Sequence, residues 1–366
     1  MYKTLQSLRN CSETKRDKII THTPNLKPHY SHNIISSHIV ISLQIKWKQI
    51  FSMKTVLITG GSGMVGRRLS KMLIEKGYDV IWLSREKHVK AEIPRYKWNL
   101  LAGEIDTEAL EEADVIVHLA GVNIAEGRWT EARKRMIVGS RVRSAHLLLD
   151  KLKEMDTKMD AFISASAVGY YGANTTDKIY TEEDEHDETD FLGATCYNWE
   201  EQAKQFTTDL GIRSVSLRTG VVLSKESELI KKAVLPTKFW LGAPLGKGTQ
   251  YMNWIHIDDL CEIYIKAIED ETMTGAYNAV APEDTTNADF MRTIASVLKK
   301  PMFFPRVPEF VFRLFLGESS QIILEGSRIS SKKIQDAGFE FKYKTLQDAL
   351  KEILIGRKNK KARNNY

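Results

Sequence analysis

The chain has 366 residues, 42% of them hydrophobic, and a formal net charge of +6, enough for one large core or a main domain with a smaller lobe. The positive excess lies at the ends: residues 1–52 carry eight Lys/Arg against two acids, the stretch from Arg357 adds five cations, and residues 53–356 are left at −5. A mildly acidic body argues against a nucleic-acid partner, and the apolar stretch 34–45, broken by Ser, His and Gln, is too short to span a bilayer, so no membrane partner is expected either.

Residues 1–52 contain no glycine turn and no strand–helix alternation, and Met53-Lys54 stands directly before the first apolar run. The expectation is a disordered or mis-assigned extension; a transit peptide and a functional arm are the competing readings. Cys11, Cys196 and Cys261 form an odd set with no metal or redox spacing, which fits a reducing, cytoplasmic setting and no metal site.

Val56, Leu57 and Ile58 read as a buried parallel strand, followed by Thr59, glycines at 60, 61, 63 and 66, and a helical pattern through Leu69, Met72 and Leu73. A glycine-rich turn between strand and helix lets the backbone approach a diphosphate, with the helix N-terminus supplying N–H donors. Gly60, Gly61, Ser62, Gly63, Met64, Val65, Gly66 and Arg67 are therefore the expected pyrophosphate cradle. The second strand, Val80–Leu83, ends in Ser84-Arg85 where an NAD site would place an acid. A hydroxyl and a guanidinium suit a 2′-phosphate, with Arg67 sharing the charge, so the expected cofactor is NADP(H).

Further strands are expected at Val115–Leu119, Ala161–Ser166 and Ser214–Leu217, with helices at Arg67–Lys76, Glu131–Lys153 and Tyr197–Leu210. The alternation implies an α/β doubly wound parallel sheet. Beyond residue 220 the pattern turns irregular, with a helix over Asp258–Glu269 and prolines at 301, 305 and 308. The expected organisation is a core over 53–222, remaining core elements plus a small C-terminal substrate lobe over 223–355, and a basic tail over 356–366.

TGGSGMVG (59–66), HLAG (118–121), SASAVGYYG (164–172), LRTGVVL (217–223) and NWIHIDDL (253–260) together resemble the extended or atypical short-chain dehydrogenase/reductase superfamily. RWTEARKRMIVGSRV (128–142) and the aromatic region Phe303–Phe315 resemble its sugar-nucleotide epimerase-like subfamily. The resemblance implies a Rossmann-type fold, Asn99 against the adenine, and His118, Leu119, Ala120 and Gly121 along the cofactor ribose. For His118, a packed histidine at a strand end is the competing reading. It also implies a serine on the substrate oxygen, Ser166 with Ser164 as alternate, and a Tyr-x-x-x-Lys pair on the following helix.

That pair is absent: Tyr197 is followed at the right spacing by Glu201, and Cys196 by Glu200. A carboxylate raises a neighbouring phenol's pKa, the wrong direction for a general base, and Lys204 lies about two turns from Tyr197. Tyr171 and Tyr170, on the loop after Ser166, are candidates to line the pocket or replace the donor, against a reading as turn packing. The catalytic candidates are therefore Ser166, Tyr171 and Tyr197. Asp258 and Asp259 read as a helix start, and the run Glu182–Asp190 as a solvated loop. The implied function is an NADP(H)-binding epimerase or oxidoreductase acting on a small hydroxylated or carbonyl substrate, nucleotide sugars included, with a homodimer through 131–153. The alternative is a catalytically weak NADP-binding sensor or scaffold.

Overall fold

A computed structural model describes residues 54–155 and 157–356; the expected extension 1–52 and the basic tail beyond Gly356 lie outside the described residues. Runs of four to seven residues bounded by turns form the strands β1 (Thr55–Thr59), β2 (Asp79–Ser84), β3 (Arg95–Asn99), β5 (Val115–His118), β6 (Ala161–Ala167), β8 (Arg213–Thr219) and β11 (Gly275–Ala279), with the short β4 (Glu104–Ile105). They make one eight-stranded sheet of order β11-β8-β6-β5-β1-β2-β3-β4, parallel throughout except for β4 at the edge. The strand order reverses beside β1, the arrangement that opens a ligand crevice at the carboxyl ends of the strands.

Both faces of the sheet are covered, which is why the central strands β1, β2 and β5 read as continuous apolar runs, while β3 near the edge alternates. From β1, Val56 and Ile58 point to one face and Leu57 to the other. The first face is covered by α1 (Met64–Lys76) through Leu69 and Leu73, and by a later helix, Ile257–Glu269, through Leu260, Ile263 and Tyr264. The second is covered by α2 (Glu108–Glu111), α3 (Glu131–Met155) and α4 (Phe191–Leu210), where Leu148 and Leu149 of α3 and Phe206 of α4 meet Phe162 of β6.

The C-terminal part contributes two kinds of structure. The strand β11 and the helix α6 (Ile257–Glu269) complete the sheet and its cover, while α5 (Glu228–Lys238), α7 (Asn287–Leu298) and a terminal helix, Leu346–Ile355, enclose a separate apolar cluster around Ile230, Phe290, Ile294 and Leu350. Two small parallel pairs tie this lobe to the crevice: β9 (Val221–Leu223) with β10 (Trp254–His256), and β7 (Ile179–Tyr180) with β12 (Arg328–Ile329). No helix of the described residues is long and apolar enough to cross a membrane.

Three helices start earlier than the sequence expectation: α1 at Met64 instead of Arg67, α4 at Phe191 instead of Tyr197, and α6 at Ile257, with Asp258 and Asp259 in its first turn. The helix α4 begins at Phe191, not Tyr197, because Asp190, the last residue of the acidic run, caps it: its Oδ1 accepts from the N–H groups of Leu192 and Gly193 at 2.8 and 2.9 Å. The helix α6 is capped by His256, whose Nδ1 accepts the Asp258 N–H at 3.1 Å. That frees the two acids behind it: Asp258 pairs with Arg68 of α1 at 2.7 Å, and Asp259 accepts the N–H groups of Lys342 and Tyr343.

Asp190→Ala is expected to cost about 1 kcal/mol by exposing two orphan N–H groups at the start of α4. Urea denaturation of the variant and the parent checks this, and an unchanged midpoint would show that the cap is dispensable.

Candidate active site

The glycine loop sits where β1 and β5 end side by side. Gly60 has φ +69°, and a Cβ there would lie 2.9 Å from the Leu119 carbonyl oxygen; a Cβ on Gly66 would lie 2.6 Å from the Gly60 carbonyl oxygen. The turn closes through Gly63 N–H to Gly60 O at 2.9 Å, and Gly63 begins α1 with no side-chain cap and no acid in the first turn. An anion is thus offered backbone N–H groups and the positive end of a helix dipole, with nothing bulkier than a hydrogen on the closest glycines. This shape fits the diphosphate of a dinucleotide.

The other cofactor-side candidates are placed as follows. Ser84 ends β2 and its hydroxyl donates to the Glu86 carbonyl, while Arg85 beside it is exposed. Arg67 is committed to the Ser62 carbonyl and to the Glu226 carboxylate, so its charge is already balanced. Asn99 Oδ1 accepts from Leu101 and Ala102 at 3.1 and 3.3 Å, which makes it a turn former at the end of β3. His118 is fully buried between Thr59 Oγ1 at 2.9 Å and Ser144 Oγ at 3.0 Å. Thr59 Oγ1 also accepts the Ala120 N–H at 3.1 Å, so this neutral chain pins the 119–121 backbone to β1 and α3. Burial lowers the His118 pKa to about 4. The packed reading of His118 is the one its surroundings match.

Ser166 lies at the carboxyl end of β6, directly beside Arg218 on β8. Its Oγ donates to Glu200 Oε1 at 2.6 Å. The Glu200 carboxylate receives a bidentate pair from Arg218, Nε and Nη2 each at 2.9 Å. Arg218, only 3% exposed, also donates to Tyr171 Oη at 2.9 Å and lies 3.4 Å over the Tyr170 ring. Tyr171 in turn donates to Asn278 Oδ1 at 2.8 Å. Ser164, the alternate serine, is buried inside the sheet and turned to a neighbouring carbonyl.

Of these residues Ser166 and Tyr171 border a cavity of about 390 Å³ that also takes in Arg141, Thr195, Cys196, Trp199, Asn253 and Ile322. On α4 the helical period puts Cys196, Trp199 and Glu200 on the inward face. The structure corrects the expectation for Tyr197: it is 36% exposed, stacks on His186 at 4.0 Å, and lies outside the cavity lining, as do Glu201 and Lys204, which pair with each other at 3.5 Å. On the inward face of α4 the i, i+4 spacing is carried by Cys196 and Glu200, neither of them a tyrosine or a lysine. Tyr171 does line the cavity, but its hydroxyl is spent between Arg218 and Asn278, and burial pushes its pKa up; it positions Arg218 and is no free proton donor. Burial likewise pushes the Cys196 thiol up to about 12, so no thiolate nucleophile is present at neutral pH. Sequence reading missed Glu200 as a partner of Ser166 and missed Arg141 and Trp199. The signal was the Cys-x-x-Trp-Glu spacing, which places three side chains on one helical face.

Comparison with known proteins follows from this geometry. The profile of the "NAD dependent epimerase/dehydratase family" matches residues 56–279, more than half of the chain. The chain belongs to this family. A second profile, "Domain of unknown function (DUF1731)", matches residues 307–353. Among relatives of the epimerase family, "Epimerase family protein YfhF" of Bacillus subtilis is 34% identical over 304 residues, 83% of this chain and 99% of that protein. The crystal structure of human epimerase family protein SDR39U1 (isoform 2) with NADPH superimposes with a TM-score of 0.74 at 30% identity, covering 82% of this chain and 98% of that one. UDP-glucose 4-epimerase of Thermotoga maritima, solved with UDP-glucose, shares the fold at 19% identity and a TM-score of 0.66, covering 83% and 99%.

Two outcomes follow from the buried groups of this epimerase-family site. Glu200→Gln leaves the Arg218 guanidinium buried without its counter-charge and is expected to cost about 3 kcal/mol, with much of the loss recovered in Glu200→Gln/Arg218→Met; urea unfolding of the parent and the two variants measures it. His118, held neutral at about 4 against about 6.5 when unfolded, contributes stability above pH 6.5 that is lost as pH falls toward 4. Up to about 3 kcal/mol should vanish across that window in the parent chain and not in His118→Gln, which urea titrations at stepped pH would show.

Proposed function

We propose that the protein binds NADP(H) on the glycine cradle and acts as an epimerase or oxidoreductase on a small hydroxylated or carbonyl substrate. The observation that carries the reading is Ser166 at the end of β6, in the wall of a cavity at the carboxyl end of the sheet, with its Oγ held by an Arg218-anchored carboxylate. The human relative crystallised with NADPH supports the choice of phosphorylated cofactor. Arg85, exposed at the end of β2, is the residue to hold the 2′-phosphate, since Arg67 is balanced by Glu226.

A bound nicotinamide supplies reversible hydride exchange with a substrate carbon. The chain's own part is proton handling. Ser166 donates its hydroxyl hydrogen bond to Glu200, which leaves its lone pairs to accept a hydrogen bond from a substrate hydroxyl in the cavity. As that hydroxyl becomes a carbonyl, its proton passes to Ser166 Oγ while the serine proton moves to Glu200 Oε1; the reverse passage protonates a carbonyl oxygen. Arg218 keeps both carboxylate oxygens oriented throughout. This Ser–Glu–Arg relay stands where other short-chain enzymes use a phenol and a lysine.

A second reading, a sensor or scaffold with little turnover, draws on the neutral Cys196 thiol and the outward Tyr197. The proposed setting is the reducing cytoplasm, where the buried free thiols of Cys196 and Cys261 stay reduced, and a homodimer through α3 is part of the proposal.

Calorimetric titration with NADPH, NADP and NADH is expected to favour the phosphorylated forms, with about a tenfold loss in Arg85→Ala. Equal or better binding of NADH would overturn the cofactor assignment. With a turnover assay in hand, Ser166→Ala should lower kcat by about 100-fold or more. Unchanged turnover would refute the relay, and no turnover on any carbonyl or nucleotide-sugar panel would favour the sensor reading.

A further inference from the structure

The cavity beside Ser166 contains a cation that the relay does not use. Arg141 on α3 reaches its wall, where Nη1 donates to the Ile137 carbonyl at 3.0 Å and Nη2 to the Val122 carbonyl at 3.1 Å. These carbonyls orient the guanidinium without neutralising it. Among the described residues no carboxylate makes an ion pair with Arg141, and Arg133 adds a like charge to its surroundings. Burial and that like charge lower its pKa, the mark of a guanidinium lacking a counter-ion.

An independent observation lies beside it. Trp199 is 6% exposed, borders the same cavity, and its Nε1–H has no hydrogen-bond partner. Indole N–H groups buried in proteins usually find an acceptor. The Arg141 guanidinium carbon is 5.1 Å from the Trp199 ring, so the orphan donor and the unbalanced cation are neighbours. Other polar groups in the wall are already engaged: Thr195 Oγ1 donates to the Phe191 carbonyl and Asn253 Nδ2 to the Ser327 carbonyl. The rest of the lining near Arg141 is apolar, with Ile124, Ile137, Leu192 and Ile322.

We propose that the substrate is a short hydroxy or oxo acid whose carboxylate is held by Arg141 and Trp199 Nε1–H while its reacting oxygen meets Ser166. The inference rests on the reading above that Ser166 contacts the reacting oxygen. One cation and one further N–H match the two oxygens of a single carboxylate, a planar acceptor that suits a guanidinium. They do not balance the two charges of a nucleoside diphosphate. The volume, about 390 Å³, is that of a small-molecule site. Arg218 cannot serve the carboxylate, because Glu200 already occupies it.

The test is calorimetric titration of the full chain, with and without saturating NADP, using 2-, 3- and 4-hydroxybutyrate, their neutral amides, and UDP-glucose. At least one acid is expected to bind about tenfold more tightly than its amide, and Arg141→Met should bring it to the level of the amide. Arg141→Lys should recover part of the preference, and Trp199→Phe should weaken the acid by about threefold, with NADP affinity in every variant within about threefold of the parent. No acid distinguished from its amide, or UDP-glucose bound in preference to every acid, would overturn the proposal. So would a large loss of NADP affinity in Arg141→Met, which would assign the guanidinium to the cofactor. If the parent chain binds no NADP, the cofactor reading falls, and the acid-against-amide comparison without NADP still decides the carboxylate site.

Discussion

The buried pair between Arg218 and Glu200 is the interaction on which the site is assembled. It joins β8 to α4, fixes the hydroxyl of Ser166 on β6, and through Tyr171 reaches Asn278 on β11. Four elements that converge from distant parts of the sequence are registered by one guanidinium. Taking both charges out of water is costly, and hydrophobic residues of the same volume would hold the fold as well or better. What apolar packing could not do is orient a serine hydroxyl and leave its lone pairs to accept. The pair is therefore better understood as a positioning device than as a source of stability.

A second constraint works from the other end of the crevice. The close approach of Gly60 to Leu119, and of Gly66 to Gly60, brings β1, β5 and α1 together with no side chain between them. The Thr59–His118–Ser144 chain then pins the backbone that follows β5, and it does so with a neutral imidazole. The cofactor side of the site is thus built from backbone and uncharged hydrogen bonds, while the substrate side is built from charged side chains. Acid works against the first through His118, a buried imidazole that must gain a proton the folded state resists.

Much of this was legible in the sequence, for physical reasons that can be named. Strands buried on both faces must be apolar throughout, so β1, β2, β5, β6 and β8 announced themselves, and a glycine turn between strand and helix has few other uses. The resemblance points to Ser166, and the structure places it near the end of such a strand. The helix α4 was read from Tyr197 because its cap, Asp190, was hidden in an acidic run that looked uniformly solvated. Starting the helix late drew attention to the tyrosine and away from the inward face formed by Cys196, Trp199 and Glu200. The partnership of Glu200 with Arg218 was not legible at all, since it depends on the register Ser166 opposite Arg218 between two strands far apart in the chain. Asn99 and His118 were placed correctly in the chain, yet their side chains serve a turn and a packed network.

The division of the cavity wall bears on where specificity resides. The sheet supplies Ser166 and Thr219, while the lobe supplies Tyr251 to Asn253 and the segment from Gln321 to Ile329. That segment is held by backbone contacts, Asn253 to the Ser327 carbonyl and Gln250 to the Ile323 carbonyl, and by β12 pairing with β7. It also lies within residues 307–353, the region matched by the second profile and not by the epimerase/dehydratase one. The chemistry at the strand ends and the shape of the opposite wall are thus encoded in separable stretches of chain. Relatives that share only the fold can retain the first while remodelling the second, so a sugar-nucleotide substrate in a distant structure does not carry over to this cavity. On the proposal made above, the residues that bear on the substrate are Arg141 and Trp199 on the core side and the 321–329 wall.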